Sequence, residues 1–268
     1  MIAIQLIGGL GNQLFQYAFG RKLAQIHNTI LYLDLSAFEE YKLHKYSLQN
    51  FNLNARLFHG NHRSKYNLVE EKKLGFDQSL LNSPDQSYFT GYFQSELYFQ
   101  SIQNSLSNEL KLNVSQINDN LKYSELIKET NSVSLHIRRA DYITDLESYK
   151  IHGTCSISYY REAINYISKK IKNITLFIFS DDHKWVKENL KSDYKMTYVE
   201  HNDAETNYED LRLMSQCDHN IIANSSFSWW GAWLNDNPNK NVIAPKIWFN
   251  DKKMNKDQSI LPRNWVKL

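Results

Sequence analysis

Cysteine is scarce in this chain: Cys155 and Cys217 are the only two in 268 residues. Two thiols cannot make a disulfide framework or a cysteine-based zinc site, and they suit a reducing compartment. A dominant sign of charge is lacking as well, since Lys+Arg 31 against Asp+Glu 29 leaves a formal net charge of +2. No bulk field then draws nucleic acid or an anionic membrane, and any anion has to be bound locally. No apolar run approaches the roughly 20 residues that cross a bilayer. The apolar opening at residues 2–7 lacks a basic leader and meets glycine at Gly8, so it reads as a strand and not as a signal peptide. A cytoplasmic protein is expected, with peripheral attachment to the inner face of a membrane left open. Missing too are a Walker-type lysine loop, paired metal carboxylates at a recognisable spacing and a nucleophile elbow.

With 42% hydrophobic and 13% aromatic residues, the chain can bury a full core, as one large domain or as two. Residues 2–7 run into Gly8-Gly9-Leu10-Gly11-Asn12-Gln13. Phe15, Ala18, Phe19, Leu23 and Ile26 then recur at helical spacing, and residues 30–33 make a second strand closed by Asp34. Strand, glycine loop, helix, strand and acid imitate a dinucleotide-binding fingerprint, which keeps an oxidoreductase open. The match is incomplete, because Leu14 stands where a third glycine would admit close helix–strand packing. Asn12 reads equally as a helix cap or as an amide that touches a sugar or a leaving oxygen. Residues 36–87 are polar, aromatic-spotted and weakly periodic, and no element is assigned there. A strand at 88–93 and a helix at about 95–112 follow. The domain boundary is set near Thr130, where a new strand–helix alternation starts.

That alternation opens on the most informative stretch, Val133-Ser134-Leu135-His136-Ile137-Arg138-Arg139-Ala140-Asp141-Tyr142. Apolar residues alternate as in a strand, then two arginines arrive together. At the carboxyl end of a strand in an α/β sheet, side chains reach the crevice where ligands sit, and a planar fork of donors suits phosphate oxygens. The plainer alternative is a surface ion pair with Asp141 or Asp145. A second strand, 174–179, ends in Ser180-Asp181-Asp182. One of these acids is expected to cap the next helix, leaving the other to bind a ribose or orient the arginines. Asp210 falls in the first turn of a helix opened by Asn207, where the dipole alone would favour an acid. A strand at 219–223 then meets Asn224-Ser225-Ser226-Phe227-Ser228-Trp229-Trp230-Gly231-Ala232-Trp233. Small hydroxyl residues between a strand and an apolar helix put backbone N–H groups and Ser side chains at a helix amino terminus, a second anion device. The tryptophans read as core and groove wall, since no basic stripe accompanies them.

The motifs Gly8-Gly9-Leu10-Gly11-Asn12-Gln13-Leu14-Phe15-Gln16-Tyr17-Ala18, His136-Ile137-Arg138-Arg139-Ala140-Asp141-Tyr142, Phe179-Ser180-Asp181-Asp182 and 225–233 resemble, in the same order, those of the α-1,2-fucosyltransferases of glycosyltransferase family eleven. Ala140 departs from the glycine common there, which changes loop freedom but no functional group. The resemblance implies an α/β fold of GT-B type, two Rossmann-like domains facing each other across a cleft: 1–130 on the acceptor side and 131–268 on the donor side. It also implies GDP-L-fucose as donor, a galactose-terminated glycan as acceptor, inversion at the anomeric carbon, and neither a metal nor another cofactor. By the same resemblance Arg138 would hold the β-phosphate with Arg139 in support, while His136 and Asp210 are similar to the guanine-contacting residues of related α-1,6-fucosyltransferases. Ser226 would bind phosphate beside Ser225, Asp181 and Asp182 would match an acidic pair of unassigned role, and Asn12 would lie near the glycosidic oxygen. A general base for the acceptor hydroxyl is open among Asp141, Glu147 and His152. Besides the oxidoreductase, a non-catalytic nucleotide-sugar or glycan-binding module stays as an alternative.

Overall fold

The computed structural model describes the backbone of residues 1–40, 43–58, 63–139, 146–251, 253–256 and 259–268; the side chains of 64, 118, 146–148 and 256 also lie outside the description. The chain divides into two compact units, Met1–Ser115 with Asp257–Pro262, and Gln116–Lys256 with Arg263–Leu268.

Unit 1 is a parallel sheet of β1 (Ile2–Gln5), β2 (Leu31–Asp34), β3 (Arg56–Phe58), β4 (Asn67–Glu70) and β5 (Ser87–Thr90), in the order β3-β2-β1-β5-β4. Helix α1 (Leu10–Ile26) links β1 to β2, and short helices α2 (Ala37–Glu40), α3 (Gln78–Leu81) and α4 (Gln103–Glu109) follow. The core is aromatic: Phe19 stacks on Phe93 at 4.1 Å and meets Phe89 and Tyr98 edge-on. Such pairs add about 0.5–1.5 kcal/mol each beyond area burial. The close helix–strand approach that Leu14 does not allow is granted further along, at Gly20, where a Cβ would lie 2.7 Å from Leu31. Ile26, on the expected apolar stripe, is instead 46% exposed at the end of α1. The expected continuous helix after β5 is broken into two 3₁₀ turns, Glu96–Tyr98 and Gln100–Ile102, ahead of α4. Ser95 caps the first turn through the Leu97 N–H, and its own hydroxyl donates to the Ser259 carbonyl.

Unit 2 begins with α5 (Asn118–Lys128), which precedes the boundary expected near Thr130 yet packs with this unit: the Tyr123 hydroxyl donates to the Tyr198 carbonyl. Its sheet contains β6 (Asn131–Ile137), β7 (Ile174–Ser180), β8 (Lys195–Tyr198), β9 (His219–Ile221), β10 (Val242–Ala244) and β11 (Val266–Lys267). Between them lie α6 (Leu146–His152), α7 (Ile157–Ser168), α8 (His183–Asn189), α9 (Asn207–Gln216) and α10 (Ser226–Leu234). The strand order is β11-β10-β9-β6-β7-β8, all parallel. Read from β8, this is the doubly wound nucleotide-binding order, with the first strand central and the direction of winding reversing beside it. Val133, Leu135 and Ile137 bury with Tyr160, Ala163 and Ile167 on one face, while Phe177 and Phe179 bury with Leu213 and Met214 on the other. A sheet covered on both faces explains why β7 reads as an unbroken apolar run. Two Rossmann-like units in one chain make the α/β architecture GT-B in type.

Candidate nucleotide site

In unit 2 the winding reverses between β6 and β9, so the crevice outside their carboxyl ends is where this topology takes a ligand. Arg138 and Arg139 leave β6 there. The Asp181 carboxylate, arriving from β7, accepts the Arg139 backbone N–H at 2.8 Å and pairs with an Arg138 terminal nitrogen at 3.0 Å. Arg139 turns toward α8: its Nε lies 3.5 Å from Asp182, and its guanidinium carbon sits 3.5 Å from the centre of the Trp185 ring. Asp182 caps α8 by accepting the Trp185 N–H at 3.1 Å. Of the two roles left open for the acidic pair, one acid capping and the other orienting an arginine is what the geometry contains. Trp185 was not foreseen, because its partner is distant in sequence and a lone tryptophan in a short helix signals only core.

His136 and Arg138 alternate onto one face of β6. His136 is 5% exposed, and its Nδ1 finds no hydrogen-bond partner among the described residues. Burial, reinforced by the Arg138 charge, pushes its pKa down to about 3, so the ring is neutral and can offer a hydrogen bond but no charge. Its ring lies 5.7 Å from that of Phe227, which brings the end of β6 to the amino terminus of α10. Ser225 is the cap there, accepting the Phe227 N–H at 3.3 Å, and Ser226 is half-buried beside it. Before them Asn224 ties the crevice floor, its Nδ2 donating to the carbonyls of His152 at 2.9 Å and Trp248 at 3.1 Å. The ring of His152 packs 5.7 Å from Phe249. Cys155 donates to Asn224 and is pushed up to about 11 by burial, so it remains a thiol.

Asp210, half-buried in the first turn of α9, accepts the Asn202 amide at 2.7 Å. Asn202 in turn pairs with Asn120, whose Oδ1 meets His201 Nε2 at 2.8 Å. Burial lifts Asp210 to about 7, with the adjacent Glu209 raising it and the Asn202 bond opposing. Glu209 is fully buried 3.5 Å from Arg212, and neither of its oxygens finds a hydrogen-bond partner among the described residues. The asparagines were not foreseen: they come from the loop after β8 and from α5, and nothing in their local sequence marks them.

The glycine loop of unit 1 is built differently. Gly8 has φ +77°, and a Cβ on it would meet the Asn12 amide at 2.6 Å. Asn12 is not the cap of α1: Gly9 is, without a side-chain bond, while the Asn12 Oδ1 accepts the Gln94 amide at 2.9 Å. Asp34, the acid of the apparent dinucleotide fingerprint, is fully buried and accepts the Tyr88 hydroxyl at 2.6 Å and the Ser36 N–H at 2.9 Å. A ribose-binding acid has to face the crevice, so the oxidoreductase alternative loses the residue it needs. Asp141 lies outside the described residues, as does the side chain of Glu147. Among the described residues no group of three His, Cys, Asp or Glu side chains could hold a metal, and no helix is long and apolar enough to cross a membrane.

Known proteins resemble this chain along its whole length. An α-1,2-colitosyltransferase of Escherichia coli is 34% identical, covering 100% of this chain and 99% of the relative. The O-antigen biosynthesis glycosyltransferase WbnK of the same species is 30% identical over 98% of this chain and 99% of its own. Among solved structures, the E. coli ADP-heptose LPS heptosyltransferase II superimposes with a TM-score of 0.51 at 10% identity, covering 100% of this chain and 89% of that one, a likeness of fold alone. The family model described as glycosyl transferase family 11 matches residues 1–268 from end to end, and the chain belongs to that family.

Proposed function

We propose that this nucleotide-sugar-dependent glycosyltransferase binds GDP-L-fucose in unit 2 and moves the sugar, with inversion, to the 2-hydroxyl of a terminal β-galactoside on an oligosaccharide or polysaccharide. Unit 1 takes the acceptor side. The observation that carries the reading is the Arg138–Asp181 pair at the reversal point of the unit 2 sheet. Breaking a fucosyl–diphosphate bond builds negative charge on the diphosphate and leaves an oxocarbenium-like sugar, so donors already aimed at the leaving group provide most of the acceleration. Arg138, Ser226 and the amino terminus of α10 supply that field, and a guanidinium can stand where other transferases use a divalent cation. The Asp210 carboxylate accepts from guanine N1–H and its exocyclic amine, a pattern adenine does not offer. His136 adds a neutral polar edge. The general base is one of Asp141, Glu147 and His152, and Asn12 touches the glycosidic oxygen.

A second donor is favoured by the name of one full-length relative, the colitosyltransferase. Colitose is L-fucose without the 3-hydroxyl, so the same diphosphate and guanine contacts serve both sugars. Parallel kinetics with GDP-L-fucose and GDP-colitose on a β-galactoside panel decide between them. Faster turnover of GDP-fucose is expected. Transfer of colitose alone would replace the donor, and donor binding without transfer to any glycan would leave only a binding module.

A further inference from the structure

Two adjacent arginines at the end of a strand could each offer a guanidinium to a diphosphate, yet they are held in different ways. Arg138 pairs with Asp181 at 3.0 Å, and its side chain is 28% exposed. Arg139 is 15% exposed and lies between the Asp182 carboxylate and the Trp185 face. The backbone that carries the ring is tied to that carboxylate, because Asp182 accepts the Trp185 backbone N–H. The backbone between the arginines is fixed too, through the Arg139 N–H on Asp181. Side chain and backbone of Arg139 are therefore anchored on α8 and β7, and the direction in which Arg138 leaves follows from that anchorage.

We infer that Trp185 is a positioning residue for diphosphate recognition: the indole stacks on Arg139 and holds the arm that presents Arg138 to the β-phosphate. The inference rests on the nucleotide-diphosphate reading above. Arg139 then acts as the anchor, its charge matched by Asp182 and the ring, and Arg138 as the ligand. A cation over an aromatic face is attracted by the ring quadrupole, which an aliphatic side chain of similar bulk lacks. Trp185 also packs at the margin of the apolar cluster around Ile164 and Val186, so loss of stability alone would not identify the role.

The test is calorimetric titration of the full chain with GDP and with GMP, which differ by the β-phosphate. Wild type is expected to prefer GDP. Trp185→Leu should lower GDP affinity about tenfold and leave GMP unchanged, whereas Trp185→Phe, which keeps a ring face, should stay within about threefold of wild type. Asp182→Asn retains a capping side chain but removes the charge opposite Arg139, and should also weaken GDP selectively. It decides the matter if Trp185→Leu does not fold. A parallel fall of GDP and GMP, or an unchanged GDP/GMP ratio in these variants, overturns the inference alone. A wild type without preference for GDP over GMP overturns the diphosphate reading and the inference with it.

Discussion

The carboxyl ends of β1 and β6 occupy equivalent places in two sheets of like design, each the central first strand, and their polar residues are used in opposite ways. After β1, amides turn inward. Gln13 donates to the carbonyls of Gly8 at 2.8 Å and Lys45 at 2.9 Å and accepts the Ser47 N–H at 2.9 Å; Gln16 accepts from Ile7 and donates to Gly91. After β6, Arg138 pairs with Asp181 and Arg139 with Asp182, and a buried imidazole nitrogen is left without a partner among the described residues. Buried polar groups are nearly always satisfied. Gln13 and Gln16, whose amides are spent on backbone, are scaffold, whereas a segment that keeps a buried polar atom unsatisfied is arranged for a ligand.

The sharpest way to break this contrast is Arg138→Lys, which keeps the charge and loses the planar fork. Turnover should fall by roughly 10²–10³-fold, as for loss of one oxyanion donor, mostly in kcat with acceptor KM little changed. Arg139→Lys should be milder. Steady-state kinetics with circular dichroism as a folding control checks both, and a larger loss at Arg139 would invert the roles.

On the scaffold side, Gln13→Ala removes the side-chain partner of the Gly8 carbonyl and of the Ser47 N–H, while the Lys45 carbonyl keeps the Ser47 hydroxyl. A destabilisation of roughly 2–3 kcal/mol is expected, read as a lower Tm for unit 1, with GDP affinity unaltered. Weakened GDP binding in a folded Gln13→Ala protein would show that the β1 loop is more than scaffold.

The strand and arginine motif of unit 2 was legible because β6 alternates cleanly and its function sits in consecutive residues. The β1 loop was legible as a loop that imitates a fingerprint incompletely, and what decides Gln13, Gln16 and Asp34 are partners at 45–47, 91 and 88, which no local pattern reveals. β3 and β4 went unassigned for a related reason. They are three- and four-residue edge strands, largely exposed, with Leu57 49% and Leu68 66% accessible, so burial imposes no period on them.

A smaller effect comes from protons. Because Asp210 is lifted from 3.8 to about 7, the folded protein holds a proton there that the unfolded chain has lost. Its contribution to stability is complete below about pH 4 and disappears as pH rises through about 7. Under the proposed guanine contact the carboxylate is the binding form, so GDP affinity should rise about tenfold between roughly pH 6 and 8, with proton release on binding. Asp210→Asn should weaken GDP and flatten that profile. Titrations in buffers of different ionisation enthalpy check it, and a flat wild-type profile would remove Asp210 from the base edge. The smallest effect expected is none at all: excess chelator should leave the transfer rate unchanged if arginines carry the leaving-group charge. A collapse restored by Mg²⁺ or Mn²⁺ would end that account.

The interleaving of the units bears on how the molecule is made. Unit 1 is not finished at Ser115, since Ser259 supplies the oxygen for the Phe76 N–H and accepts the Ser95 hydroxyl. Nor is unit 2 finished at Lys256, because β11 at 266–267 pairs with β10 as the last strand of its sheet. On the ribosome, then, unit 1 cannot close these hydrogen bonds until residue 259 has emerged, nor unit 2 its sheet until 266–267 has. A cut at 115/116 releases two incomplete pieces, and a fragment meant to hold unit 2 has to carry residues 263–268 back to its sheet edge.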